Sequence, residues 1–305
     1  MKTVKTLLFL FFIPRVFLGQ LIPISNQYVL NPLTINPAYA GSSGSLNIAA
    51  FYGRQWVGIN GAPETATLVM DAPFFESKLG LGLIISNNKI GVTKETAFGT
   101  TYAFKINMGK GNLSLGLGVG AIVTNTAWSD LSVSDPGDEY YLINSRVFVV
   151  PDFKFGAYFS YQNYFAGISI PELTGYNFDF NKDKYGMKFN PDQYSYMFNT
   201  GYILSLSPKL KFFPSTLVTF SPGEKLLYDV NANFILLDRF WLGASYRNNK
   251  SVAGLVQFAI NKQFRIAYTY DFDINELRTY SNGSHEIMLR YQFSYIVNVV
   301  DPLNF

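Results

Sequence analysis

Alternation with period two runs through nearly all of the chain from about residue 45, and no other feature limits the possible folds as much. Gln263 to Ile274 shows it best. Phe264, Ile266, Tyr268, Tyr270 and Phe272 alternate there with Gln263, Arg265, Ala267, Thr269, Asp271 and Asp273. Successive side chains of a strand point to opposite faces, so one face is apolar and aromatic and the other polar or small. The split recurs in Tyr228-Val230-Ala232-Phe234-Leu236 against Asp229-Asn231-Asn233, and in Leu113-Leu115-Leu117-Val119 against Ser114-Gly116-Gly118-Gly120. The spacing predicts strands near 45–57, 64–72, 78–87, 94–107, 113–127, 153–161, 163–171, 193–206, 209–221, 226–237, 239–248, 251–260, 263–273 and 284–295. That is about fourteen, and nothing longer than a turn reads as a helix.

Two architectures accommodate so many amphipathic strands: a soluble β-sandwich and a membrane β-barrel. Composition favours the barrel. Charged residues are 15% of the chain and aromatics 17%, with 28 Phe and 21 Tyr, whereas soluble domains carry about 25% charge. An even strand number suits closure of a single chain in an outer membrane. Loop lengths add an independent signal. The connections after even-numbered segments are tight (Gln162-Asn163, Ser207-Pro208, Asp238, Asn261-Lys262), while the two long ones, roughly 128–152 and 172–192, follow odd-numbered segments. Short turns on one side and long loops on the other are barrel topology, and a sandwich has no reason to sort its loops by parity. The expectation is an all-β fold, an antiparallel outer-membrane β-barrel of about 14 strands, integral to a Gram-negative envelope.

The expected organisation is a signal peptide over 1–19, a periplasmic or lumenal lead-in over 20–44, the barrel over 45–295 and a tail over 296–305. Lys2 and Lys5 precede a short apolar core, Leu7 to Ile13, and Phe17-Leu18-Gly19 ends small before Gln20. Removing 1–19 takes Lys2, Lys5 and Arg15 away and leaves 21 basic residues against 21 acidic ones, so nothing favours nucleic acid. With no cysteine, there is no disulfide, thiol nucleophile or lipid-modified cysteine.

Several local patterns carry a structural and a functional reading. Gly116-Leu117-Gly118-Val119-Gly120 lies inside an alternating strand, where a dinucleotide loop cannot form. Gly80, Gly82, Gly116 and Gly118 fall on the lumen face and suit strands that bend around a narrow interior. Asp229, Arg247, Arg265, Asp271, Asp273, Glu286 and Arg290 share one inner wall and are expected to pair with one another, with a solute pathway as the other reading. Trp56, Trp128, Tyr140-Tyr141 and Trp241 fit interfacial girdles. His285, the only histidine, has the lipid-facing parity of Ile287 and Leu289, which suits an interface and not a catalytic triad. Asp135 to Glu139 offers oxygens without an EF-hand spacing and reads as a solvated acidic loop. No cofactor or metal is expected, and no enzymatic activity.

The segment before the first strand does not alternate. It runs Asn26-Gln27-Tyr28-Val29-Leu30-Asn31-Pro32-Leu33-Thr34-Ile35-Asn36-Pro37-Ala38-Tyr39-Ala40-Gly41, with two Asn-Pro pairs that favour turns. Together with Arg54-Gln55-Trp56-Val57-Gly58-Ile59-Asn60-Gly61-Ala62-Pro63-Glu64-Thr65 it resembles the start of the PorP/SprF family of type IX secretion system outer-membrane proteins. Lys78-Leu79-Gly80-Leu81-Gly82 and Leu242-Gly243-Ala244-Ser245-Tyr246-Arg247 extend the resemblance across the chain. The resemblance implies a role in protein secretion and gliding motility. In that role the barrel binds the C-terminal domain of a secreted adhesin, anchors it or assists its export, and works with other secretion components in the bilayer. The residues it marks are Asn36, Pro37, Ala38, Tyr39 and Gly41 in the lead-in and Arg54, Gln55, Trp56, Gly61 and Pro63 after the first strand. The latter group serves either as a ligand-docking rim or as a fixed first hairpin. The alternative function is a porin-like or hydrophobic-solute transport barrel.

Overall fold

The computed structural model describes residues 26–75, 77–131, 144–179, 184–249 and 251–293. The expected signal peptide, Tyr140-Tyr141, Asp135 to Glu139 and the tail lie outside them. Fourteen strands form the barrel: β1 Asn47–Arg54, β2 Glu64–Phe74, β3 Leu79–Ile90, β4 Thr93–Met108, β5 Gly111–Thr126, β6 Phe148–Tyr161 and β7 Tyr164–Ile170. They continue with β8 (Tyr196–Tyr202, resuming as Leu204–Ser207), β9 Leu210–Phe220, β10 Leu227–Leu236, β11 Phe240–Arg247, β12 Ser251–Ala259, β13 Phe264–Asp273 and β14 Ser284–Gln292. Each strand pairs antiparallel with its neighbours in sequence. The ring closes where β1 pairs with β14, from Asn47 opposite Gln292 to Arg54 opposite His285. Closure leaves no unpaired edge, which hydrocarbon demands of a sheet. A separate hairpin, Gly175–Asp179 with Lys184–Lys188, stands in the loop after β7.

Alternation sorts the two faces as expected. On the outside Leu117 is 56% exposed and Leu242 64%, while inward Asp229 is 4% exposed and Thr269 2%. The turns at the inner end are short. Gln162, Leu237 and Asp238 adopt positive φ there, the backbone twist that matches tight hairpins.

Pro151 accounts for the largest departure from the expected strand limits, and Pro214 breaks the pairing of β8. β6 begins at Phe148, inside the loop expected over 128–152, and pairs Val149 with Val123 and Pro151 with Ala121. A proline within a strand removes a ladder donor and hides the strand from pattern reading. In β9, Pro214 interrupts the pairing with β8. Gly201 lies opposite Ser215, and the ladder resumes only at Leu204 opposite Phe212.

Candidate functional site

Residues 27–45 lie inside the barrel. They form three short 3-10 turns, Asn26–Val29, Pro32–Thr34 and Pro37–Tyr39. Each Asn-Pro pair builds one turn by the same means. Asn31 Oδ1 accepts from Leu33 N–H at 3.3 Å and Asn36 Oδ1 from Ala38 N–H at 2.9 Å, while the proline fills the first helical position, where no N–H is needed. The segment cannot pair as a strand, so its backbone groups find partners on the wall. Asn36 Nδ2 donates to Ala157 O at 3.0 Å and Ile168 O at 3.3 Å, and Ser169 Oγ donates to Ile35 O at 2.7 Å. Gly41 N–H donates to Asp71 Oδ2 at 3.0 Å, Lys105 Nζ to Gly41 O at 2.5 Å, and Arg290 Nη1 to Leu30 O at 3.4 Å. Gln27 Nε2 reaches Glu286 O at 3.1 Å, and Asn231 Nδ2 donates to Tyr28 Oη at 2.7 Å.

The lumen glycines are the seat of this plug. A Cβ on Gly80 would stand 1.8 Å from Ala40 O, on Gly116 2.2 Å from Ala38 N, and on Gly156 2.1 Å from Asn36 Oδ1. These contacts, and not strand bending alone, require glycine at Gly80 and Gly116. A Cβ on Gly82 would meet the Thr101 side chain at 2.2 Å and the plug's Leu33 at 3.1 Å, while one on Gly118 would meet only Lys154.

At the inner end a row of aromatic side chains packs against the plug. Tyr39 meets Tyr158 edge-on with ring centroids 5.4 Å apart. Tyr158 stacks on Phe165 at 5.7 Å, Phe165 lies tilted against Phe213 at 6.1 Å, and Phe213 meets Trp241 edge-on at 5.9 Å. Gly201 makes room between Phe165 and Phe213, where a Cβ would come within 2.8 Å of both rings. Trp241 is therefore not a girdle residue. Its neighbour Leu242 takes the lipid-facing parity, which turns Trp241 inward, where it is 5% exposed.

Above the plug, on the side of the long loops, a cup of about 240 Å³ opens outward. Thr34 and Ile35 of the plug lie among its lining residues, and its walls carry Glu95, Asp152, Lys154, Glu172, Thr269 and Glu286. Lys154 Nζ sits 3.2 Å from Asp152 Oδ2. Glu172 follows β7. Burial, reinforced by Asp152, pushes its carboxyl above the ordinary range, with Lys154 opposing.

At the rim, the Arg54-Gln55-Trp56 stretch fastens the first hairpin to the last. Arg54 Nε lies 3.4 Å from Glu64 Oε1 across the hairpin, and Gln55 N–H donates to Pro63 O. Trp56 N–H donates to Ser284 Oγ, and Val57 exchanges backbone bonds with Gly283 and Asn282. Gly61, at φ +73°, accepts from Gly91 N–H. Trp56 thus belongs to this clasp and not to a girdle.

The structure does not bring the two sequence motifs together. Asn36, Pro37, Ala38, Tyr39 and Gly41 are in the plug, and Arg54, Gln55, Trp56, Gly61 and Pro63 are at the rim. Only Arg54 and Gln55 of the ten line the cup. The charged inner wall is more mixed than expected. Arg247 grips Asp229 through Nε to Oδ1 at 2.7 Å and Nη2 to Oδ2 at 2.9 Å, but Arg290 turns to Leu30 O and to Asn47 Oδ1 and lies directly opposite Arg265. The plug offers backbone carbonyls, which are acceptors as good as a carboxylate in number if not in charge. His285 faces outward, and its Nδ1 lies 2.6 Å from Tyr268 Oη. Glu95, Asp152, Lys154 and Glu172 were not singled out by sequence, although Glu95 and Asp152 sit at inward parity.

The family model described as type IX secretion system membrane protein PorP/SprF matches residues 18–291. No curated protein matches the chain. Among solved structures, the CymD monoaromatic hydrocarbon channel aligns with a TM-score of 0.52 at 11% identity, covering 91% of this chain and 95% of its own. The P. putida toluene transporter TodX aligns with a TM-score of 0.50 at 8% identity, covering 87% and 95%. At such identities the likeness is one of fold.

Proposed function

The chain belongs to the PorP/SprF family of type IX secretion system membrane proteins, and from that premise we propose that it is a non-enzymatic barrel that binds an exported surface protein. The partner is a secreted adhesin, held through its C-terminal domain and thereby anchored or helped through export, in concert with other secretion and gliding components. The observation that carries the reading is the plug. A lumen filled from the inner side by its own N-terminal segment, beneath a cup open to the outside, suits a receptor better than a conduit. The rim clasp ties the first hairpin to the last at the cup's edge, the kind of support a docking surface uses.

The test is affinity purification of the tagged barrel from detergent-extracted outer membranes, followed by mass spectrometry. One large surface protein should be recovered, and it should be lost when its C-terminal domain is deleted. Recovery of the barrel alone, together with solute flux in liposomes, would refute the proposal. Such a result would favour the second reading, a transport barrel, which the fold shared with CymD and TodX supports. On that reading the plug has to move aside during each passage.

A further inference from the structure

The cup presents more acceptors than donors. Four carboxylates line it, Glu95 from β4, Asp152 from β6, Glu172 after β7 and Glu286 from β14, against the two cations Lys154 and Arg54. Both cations are already engaged, Lys154 by Asp152 and Arg54 by Glu64. Two buried oxygens in the lining have no hydrogen-bond partner: Asp152 Oδ1 and the hydroxyl of Thr269, a residue 2% exposed. Glu95, Asp152 and Glu172 line the same cup, with Asp152 on β6 and Glu172 just beyond the end of the adjacent β7.

We propose that the cup binds a basic side chain, a guanidinium or ammonium carried on a segment of the exported partner, with Asp152, Glu172 and Glu95 holding the cation. The inference rests on the partner-binding reading above and adds the chemistry of the recognised group. A guanidinium brings five N–H donors and no acceptor, the complement of this lining. Its attraction to carboxylates is larger in a recess walled by protein than in open water. Other occupants fit less well. An anion meets an excess of like charge. A hydrocarbon supplies no counter-charge to the carboxylates of the lining. Among the described residues, no group of three His, Asp or Glu is disposed to hold a metal ion. The volume of about 240 Å³ admits one long side chain with the backbone that carries it.

The experiment uses the purified full-length barrel in detergent micelles, titrated calorimetrically with acetyl-Gly-Arg-Gly-amide and with the same peptide carrying citrulline, which is neutral and isosteric with arginine. The arginine peptide should bind at least tenfold more tightly. The double variant Asp152→Asn/Glu172→Gln should lose that preference while still migrating as a folded, heat-modifiable barrel. A folded Glu95→Gln single variant provides a second check and should show a reduced preference. Equal binding of the two peptides to the wild type, or an unchanged preference in the folded double variant, overturns the inference. The two readings fail separately. A co-purifying surface protein without an arginine preference removes the inference and leaves the receptor, whereas an arginine preference without a partner supports the cup's chemistry and removes the receptor.

Discussion

Replacing Gly116 with alanine should unseat the plug without opening the barrel wall. The new methyl would stand 2.2 Å from Ala38 N, 2.4 Å from Ala38 Cα and 2.5 Å from Pro37 C. All three are backbone atoms, so no side chain can swing away and the turn itself must retreat by more than an ångström. Overpacking of this kind costs about 1–3 kcal/mol. Retreat also stretches the Asn36 bonds to Ala157 O and Ile168 O, each worth about 1 kcal/mol net. Taking about 3 kcal/mol for the whole, the open population of the plug rises roughly a hundredfold, at 1.4 kcal/mol per factor of ten. Chymotrypsin reads this directly, because Tyr28, Leu30, Leu33 and Tyr39 are all buried in the wild type and cleavage tracks the open population when reclosing is fast. The expected result is cleavage at Tyr39, mapped by mass spectrometry, about a hundredfold faster than in wild type, with the barrel still heat-modifiable. Gly254→Ala is the control, since a Cβ there meets nothing within 4 Å. Equal cleavage rates in the two variants would refute the claim that the lumen glycines exist to seat the plug.

Two further outcomes follow from the same packing and charge arguments. Trp241→Ala removes the last ring of the inner aromatic row and should cost about 3–5 kcal/mol, read as a lower denaturant midpoint for the folded barrel. An unchanged midpoint would mean that the row is not a packed base. Glu172 holds its proton more tightly in the folded barrel than in the unfolded chain. Its neighbours there are Asp152, Lys154 and Glu95. Stability from this group is therefore full below the ordinary carboxylate pKa and is lost as pH rises through the elevated one. Glu172→Gln should raise the unfolding midpoint at pH 7 and leave it unchanged at pH 4, and an equal effect at both would contradict the sign.

The barrel was legible because lipid and lumen impose opposite chemistries on alternate residues. Period, strand number and the sorting of loops by parity all follow from that one constraint, as in the clean split between Phe264-Ile266-Tyr268 and Arg265-Ala267-Thr269. Pro151 blurred the start of β6, because a residue without an N–H reads as a loop, whereas Pro214 lay inside the segment expected over 209–221 and β9 runs through it. Trp241 was misplaced for a different reason. An aromatic residue near a strand end looks the same whether it faces headgroups or a packed interior, and only the exposed Leu242 beside it fixes the side. The two Asn-Pro pairs announced turns correctly, yet nothing in them says what the turns touch. Gly156 and Gly167, which border Asn36, carried no signal because their meaning lies in a segment more than a hundred residues away. The acidic lining of the cup was hidden likewise. Glu95 and Asp152 come from strands that meet only after β5 has been laid between them.

The plug and the seam together constrain how this molecule can be made. Gln27 bonds the backbone of Glu286, 259 positions later in the chain, on the strand whose pairing with β1 completes the ring. The plug is continuous with β1, yet it touches β6, β7, β10 and β14 from within. The segment enters at the inner end, where β1 begins, and its own Tyr39 stands against Tyr158 in the aromatic row there. Assembly that wraps the sheet around the segment would make the earliest-made part of the fold the template on which the last strand finds its register. Insertion into the membrane would then be checked by the contents of the barrel as well as by its edges. A chain lacking residues 26–44 would close late, close wrongly, or wait at the seam for a hairpin that has nothing to wrap around.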